Sequence, residues 1–391
     1  MNETLRRRLV RMQRLTLISG LIGLAAAGLG AWLSAAEFFR GYLFGYLFWL
    51  GLGLGCLAVV MIHHLTGGGW GFVTRRFLEA GMMTLPLMLF LFVPLFFGLG
   101  DLYPWARRAE VAANPLLQKK AIYLNAPGFI GRTLFFFVIW LTLAWLLRRW
   151  SALQDRIQNP GPTRRLRALS GPGLVIYPLT ATFAYVDWVT SLEPQWHSTM
   201  FPLIVLIGQV LTSFSFATLW LVYFKAIQPL AGAVTLKHFH DLGNLLLTFV
   251  MFWTYVAFGQ FLVIYSGNLP HEIAWYLRRI AGGWKWVLAA LALVHFFLPF
   301  FLLLFRVMKQ RTPHLVKIAG AIFAIHIVEV FWMVMPSFEA GGVGWKTLGS
   351  SAASFVGIGG LWLAMFFFSL QKYSLLPRND PRIQQLLAHA E

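Results

Sequence analysis

Ten runs of roughly twenty mainly apolar residues follow one another along this chain of 391 residues. A membrane-spanning helix needs about 20 consecutive apolar residues. Backbone groups in lipid must find hydrogen bonds within the segment, so such runs are predicted to be helices. We therefore predict an all-α, polytopic transmembrane bundle forming one domain, 1–391. The predicted spans are residues 14–34, 41–63, 81–99, 129–147, 172–192, 199–224, 241–267, 285–307, 315–336 and 351–372.

Composition excludes several alternatives. Charged residues are 12% of the chain, against about 25% in soluble domains. The single cysteine, Cys56, cannot hold an iron–sulfur cluster, a cysteine-based zinc site or a disulfide framework. The net charge of +18 comes from basic residues that flank the spans, so it indicates membrane topology rather than nucleic-acid binding.

The basic residues are distributed unequally between the two sides of the membrane. Twenty-two of the 32 Lys and Arg residues fall on the side where the first span begins. The positive-inside rule then puts both termini, and a tail at 373–391, in the cytoplasm. The first apolar run is longer than a signal-peptide core of 7–15 residues, so we interpret it as an uncleaved helix.

Four ionisable residues stand out inside predicted spans, where a charge is costly and often functional. Asp187 is in the fifth span, His295 in the eighth, and His326 and Glu329 in the ninth. His326 and Glu329 are three residues apart and so share one helix face. Titratable groups at membrane depth can relay protons. They can equally hold neighbouring helices together, and the sequence leaves both interpretations open.

Other candidates for a proton path lie near the predicted span ends. Glu79 and Asp241 are on the basic side, and Glu193 is on the opposite side. A haem with two histidine ligands needs them at matching depth on adjacent helices. His295 and His326 meet the depth condition only. We predict no metal site and no catalytic residue.

Several short motifs resemble one known family. They are YVDWVTSLEPQWHST at 185–199, HHLTGGGWG at 63–71, RRFLE at 75–79, LYPW at 102–105, DLGN at 241–244 and NLPHE at 268–272. Together these motifs are similar to the ActF subunit of alternative complex III, a quinol:cytochrome c or HiPIP oxidoreductase. The resemblance runs from the second span to the end of the ninth.

This resemblance implies an NrfD-like arrangement of two four-helix bundles with two peripheral helices. It implies a bacterial inner-membrane complex containing an ActC-like membrane subunit and partners with multihaem c and iron–sulfur centres. This chain would carry no redox centre of its own. The family is proposed to conduct protons and is also labelled as binding quinone, here menaquinone. His197, with Trp188 and Trp196, is the nearest candidate for a quinone site.

The first hypothesis is therefore a non-redox membrane subunit that supports proton movement. A second quinone-binding subunit, a scaffolding subunit and an unrelated secondary transporter remain alternatives. Under each of these hypotheses, we expect the ten spans to be surrounded by the lipid bilayer.

Overall fold

Long helices run back and forth through the molecule ten times. The structure, a computed structural model, describes residues 3–377 and 379–380. Every regular element in that part is helical, and ten helices are long and apolar enough to cross a membrane, which confirms the predicted fold class. The spans are Glu3–Leu33, Ala35–Thr66, Gly69–Phe97, Ala126–Gln154, Gly161–Leu192, Met200–Phe224, Leu236–Gly267, Trp284–Leu304, Thr312–Ser337 and Trp345–Leu370.

Several helices extend well beyond the apolar runs that predicted them. The first begins at Glu3 rather than at 14, and the third at Gly69 rather than at 81. The backbone hydrogen bonds of a helix can continue past the edge of the hydrocarbon layer, so turns made of polar residues extend these helices. Most of the predicted tail, residues 378 and 381–391, lies outside the described residues.

The spans pack as two four-helix bundles. Spans two to five contact one another in a ring, which we call the first bundle, and spans six to nine form the second bundle in the same way. The second and fifth spans both pack against the sixth, and these contacts join the bundles. The first and tenth spans pair at the periphery, as the family resemblance implied.

Glycines let the first and tenth spans approach closely. A Cβ atom added at Gly23 would lie 2.5 Å from the backbone nitrogen of Gly357. One added at Gly360 would lie 2.3 Å from the backbone nitrogen of Gly20. Inside lipid, the hydrophobic effect does not drive two helices together. Small residues at such crossings instead let the backbones pack closely, and this van der Waals contact stabilises the pair.

Two spans are interrupted. The third consists of Gly69–Met82 and Leu85–Phe97, with a break between them. The eighth contains a π-helical stretch, Leu291–Phe297, just before Pro299. Proline lacks a backbone N–H, so it disturbs the helical hydrogen bonds of the preceding turn. His295 lies in this stretch and is fully buried.

Short helices lie on the side opposite the first residues of the structure. Four of them occupy 99–120, between the third and fourth spans. Another, Pro270–Ile280, connects the seventh span to the eighth. We call this the outer side, and the side where the first span begins the basic side.

Candidate functional site

Five acidic side chains are buried among the residues that the structure describes: Glu79, Asp187, Glu193, Glu329 and Asp380. A buried charge is tolerated when it is paired and hydrogen-bonded. Four of the five contact arginine, whereas the basic groups beside Glu329 are histidines. Arginine keeps its proton at any physiological pH, and histidine does not. The partner therefore decides which acid can take part in proton exchange.

The Glu79 cluster lies at the basic end of the first bundle. The Glu79 carboxylate accepts hydrogen bonds from Arg75 at 2.7 Å, Arg76 at 2.7 Å and Arg148 at 2.5 Å. Ser151 donates a fourth at 2.5 Å. The third and fourth spans are joined here by permanently charged groups.

Two further acids complete the charge balance of the Glu79 cluster. Asp155 accepts from Arg76 at 2.5 Å, and Asp380 accepts from Arg75 at 3.3 Å. Three arginines thus face three carboxylates. Because the arginines and the carboxylates neutralise one another, the third span can contain charged residues before position 81, where its apolar run begins.

Asp187 forms a two-pronged ion pair near the outer end of the first bundle. Arg132 donates from Nε at 2.7 Å and from Nη2 at 3.1 Å. The guanidinium lies over the ring of Tyr123, 3.8 Å from its centroid. Burial, with the nearby Asp187 charge, raises the pKa of Tyr123 to about 12. Two N–H groups of the Arg132 guanidinium thus pair with the two oxygens of the Asp187 carboxylate.

We expect Asp187→Asn to reduce stability by about 2 kcal/mol, below the 3–5 kcal/mol of a fully buried pair because Arg132 is partly exposed. The shift in the denaturant midpoint of the purified protein measures this. The Asp187→Asn/Arg132→Gln double variant should recover part of the loss, since it leaves no unpaired charge. Additive losses would contradict the pairing.

The Glu193 cluster joins three outer-side segments. Glu193 accepts hydrogen bonds from Arg279 at 2.9 Å, Arg278 at 3.1 Å and Ser337 at 2.7 Å. Arg279 also donates to the backbone oxygen of Met333 at 2.7 Å. Burial lowers the pKa of Arg279 to about 10, although Glu193 opposes this shift. Arg279 is still charged at neutral pH, so this cluster is a fixed ion pair.

The Glu329 cluster, formed by Glu329, His326, His295 and Trp253, lies inside the second bundle. Trp253 donates its indole N–H to one carboxylate oxygen at 2.7 Å. The other oxygen is 2.7 Å from Nδ1 of His326 and 3.4 Å from Nδ1 of His295. The Trp253 ring lies 4.1 Å from that of His295. Spans seven, eight and nine therefore converge on one carboxylate.

The spacing of this cluster would by itself admit a metal ion. Ligand atoms of His295, His326 and Glu329 all lie within 4.8 Å of one another. Nδ1 of His326, however, is hydrogen-bonded to one carboxylate oxygen, whereas Nδ1 of His295 lies 3.4 Å from the same oxygen and makes no hydrogen bond within the described part of the chain. A carboxylate and an imidazole at hydrogen-bond distance can share a proton. We therefore interpret the cluster as a proton-sharing group.

The three residues predicted for a quinone site do not meet. Trp188 lies in the first bundle, where its N–H donates to Thr133 at 3.2 Å. Trp196 stacks on Trp275 at the outer side, with ring centroids 4.6 Å apart. His197 borders a separate outer pocket of about 280 Å³, which Trp196 also lines and Trp188 does not.

The predicted proton-path residues are likewise dispersed. Asp187 contacts the fourth span, and Glu329 contacts the seventh and eighth, so the two acids belong to different bundles. Asp241 lies near the basic end of the seventh span, about a third exposed and 4.0 Å from His240. His295, His326 and Glu329 are the predicted candidates that the structure brings together.

Sequence reasoning missed the partners of these acids. Arg132 and Arg279 are not among the residues that the sequence predicts for a site, although they hold Asp187 and Glu193. Basic residues near span ends were treated as topological charges. The signal in the sequence is that each buried acid needs a basic partner, and Arg132 itself falls within the predicted fourth span, 129–147.

A large apolar cavity also reaches the Glu329 cluster. It has a volume of about 640 Å³ and lies within the second bundle, beside Pro270–Ile280. Half of its eighteen lining residues are aromatic. Glu329 and Trp253 line one part of it, and Gln260 and Tyr276 another. Phe258, which also lines it, is 56% exposed on the lipid-facing surface, so the cavity borders the bilayer.

No protein-family model matches this chain, and no curated protein matches it.

Proposed function

We propose that this multi-pass membrane protein exchanges protons at the Glu329 cluster, as a subunit of a quinol-oxidising electron-transfer complex. One observation carries the proton part of the proposal: the basic partners of Glu329 are histidines, whereas the other buried acids of the described chain contact arginine. A proton can move between a carboxylate and an imidazole at 2.7 Å without moving any heavy atom.

Histidine suits this role because its unperturbed pKa, about 6.5, lies within the physiological range. A cluster of two imidazoles and one carboxylate can take up a proton and return it. An arginine–carboxylate pair cannot, because the unperturbed pKa of a guanidinium lies above about 12 and the arginine keeps its proton. We therefore narrow the predicted path residues to Glu329, His326 and His295. Asp187, Glu193 and Glu79 then have structural roles.

The electron-transfer part of the proposal is supported by the sequence motifs at 63–79, 185–199 and 268–272. It includes an ActC-like membrane partner and partners with haem c and iron–sulfur centres, while this chain carries no redox centre. The two-bundle architecture with a peripheral pair is the one that this resemblance implies. The basic side would face the cytoplasm of a bacterial inner membrane.

Affinity purification of the tagged chain from its native membrane tests the assignment to a complex. We expect haem-containing partners to co-purify, giving a c-type absorption spectrum in the purified fraction. Purification of the chain without haem or iron partners would contradict the assignment and favour a transporter. A complex that assembles but leaves proton yield independent of Glu329 would favour scaffolding.

A second candidate function is the binding of a lipid-soluble quinone, and the cavity of about 640 Å³ favours it. Its aromatic lining suits a planar ring, and Glu329 and Gln260 can hydrogen-bond to ring oxygens. A photoreactive quinone analogue tests this. Labelling of residues 253–261 supports the site, and labelling confined to a neighbouring subunit excludes it.

A further inference from the structure

A second, very small cavity lies where the two bundles meet. It is lined by residues of the second, fifth, sixth and ninth spans, among them Gly51, Tyr185, Gln209 and His326. Its volume is about 10 Å³, which corresponds to about one water-sized probe. A water molecule is retained in such a space when two or more polar groups border it. Tyr185, Gln209 and His326 supply those groups.

The Tyr185 hydroxyl has a defined direction. Tyr177 donates its hydroxyl proton to Oε1 of Gln209 at 2.7 Å, which fixes the orientation of the amide. Gln209 then donates from Nε2 to the Tyr185 oxygen at 2.7 Å. Because Tyr185 accepts this bond, its own O–H is free to point into the cavity.

His326 meets the cavity from the other bundle. Its Nδ1 atom is engaged with Glu329 at 2.7 Å, so Nε2 is the nitrogen left for the cavity. Gly208 permits this position, because a Cβ there would lie 2.8 Å from Cε1 of His326. His295 and Glu329 are the other titratable side chains against this imidazole, and Phe48 packs on it from the second span.

We propose that this cavity holds one water molecule that links the Tyr185 hydroxyl to Nε2 of His326. The water accepts from Tyr185 and donates to Nε2, so Nδ1 carries the imidazole proton and donates to the Glu329 carboxylate. Tyr185 is thus a positioning residue that selects the His326 tautomer, through Gln209 and Tyr177. The consequence for proton exchange rests on the proposed function, whereas the tautomer assignment does not.

Solid-state NMR of the purified complex labelled with 15N-histidine tests the link, because the two tautomers give different nitrogen shifts. The His326→Gln variant identifies the His326 signals by difference. We expect the Nδ1–H tautomer in the unmodified protein. Tyr185→Phe should shift the ratio of the tautomers by about fivefold, the effect of losing one ordinary hydrogen bond. Tyr46→Phe is the matched control, since its buried hydroxyl donates instead to the Met88 backbone at 2.9 Å.

A second variant leaves the hydrogen bonds between protein groups in place and removes only those of the water. Val205 lines the cavity, and Val205→Leu fills it without touching the polar groups. It should change the tautomer ratio as Tyr185→Phe does. An unchanged ratio in both variants would overturn the water link, even if Glu329→Gln abolishes proton exchange. A changed ratio with normal proton yield would uphold the link and count against the proposed function instead.

Discussion

The Glu329→Gln variant will assemble with its partners and lose proton exchange at the second bundle. Glutamine keeps the shape of the side chain and can still accept the Trp253 hydrogen bond, so packing is preserved. It cannot accept a proton from His326 near neutral pH. Positioned acid–base groups contribute about 10²–10⁴-fold to proton-transfer rates, so we expect a rate loss of at least about 10²-fold. The initial rate of proton release and the number of protons released per electron, both in reconstituted vesicles, measure the effect.

Asp241→Asn provides the matched control for this experiment. It removes one carboxylate from the same bundle, at a position that is about a third exposed. Its proton yield should equal that of the unmodified complex. Normal proton yield in Glu329→Gln, with electron transfer intact, would remove the proton role from this chain.

Glu329 differs from the other buried acids in the chemical type of the side chains that contact its carboxylate. The Glu79, Asp187 and Glu193 carboxylates each meet a guanidinium, which stabilises one charge state and one helix arrangement. Glu329 meets two imidazoles and an indole N–H. The fixed pairs stabilise the bundles, so the Glu329 cluster is free to change charge.

The helices were predictable from the sequence because lipid imposes a simple rule. Twenty apolar residues without hydrogen-bond partners in the solvent must form a helix, and ten such runs form ten helices. Helix ends were not predictable in the same way. The third helix begins at Gly69, since Arg75, Arg76 and Glu79 neutralise one another inside the protein rather than marking the edge of the membrane.

Several partners of the buried acids could not be predicted because they are remote in sequence. Arg132 is 55 residues from Asp187, Arg279 is 86 from Glu193, and Trp253 is 76 from Glu329. The pairings of His326 with Glu329 and of Arg75 and Arg76 with Glu79 are local, since residues three or four apart share a helix face. The His326–Glu329 pair was visible in the sequence, whereas its position beside His295 depends on the packing of the eighth and ninth spans.

Glu79→Gln is expected to have the largest effect on stability. It leaves Arg75, Arg76 and Arg148 facing only Asp155 and Asp380, so one positive charge is unpaired inside the first bundle. Removing one partner from a buried ion pair costs about 3–5 kcal/mol. We expect the denaturant midpoint of the purified protein to fall accordingly, or the variant to fail to accumulate in the membrane.

Glu110→Gln is a closely matched control for this loss. Glu110 also pairs with an arginine three residues earlier, Arg107, at 2.6 Å, but both side chains are 44% exposed. The same substitution therefore removes the same local ion pair in water, where such pairs contribute about 0–1 kcal/mol. Equal losses in the two variants would show that burial is not what makes Glu79 important. We expect a large loss of stability in Glu79→Gln alone, with normal proton exchange in the protein that still assembles. That result would show that Glu79 has a structural role and that Glu329 exchanges protons.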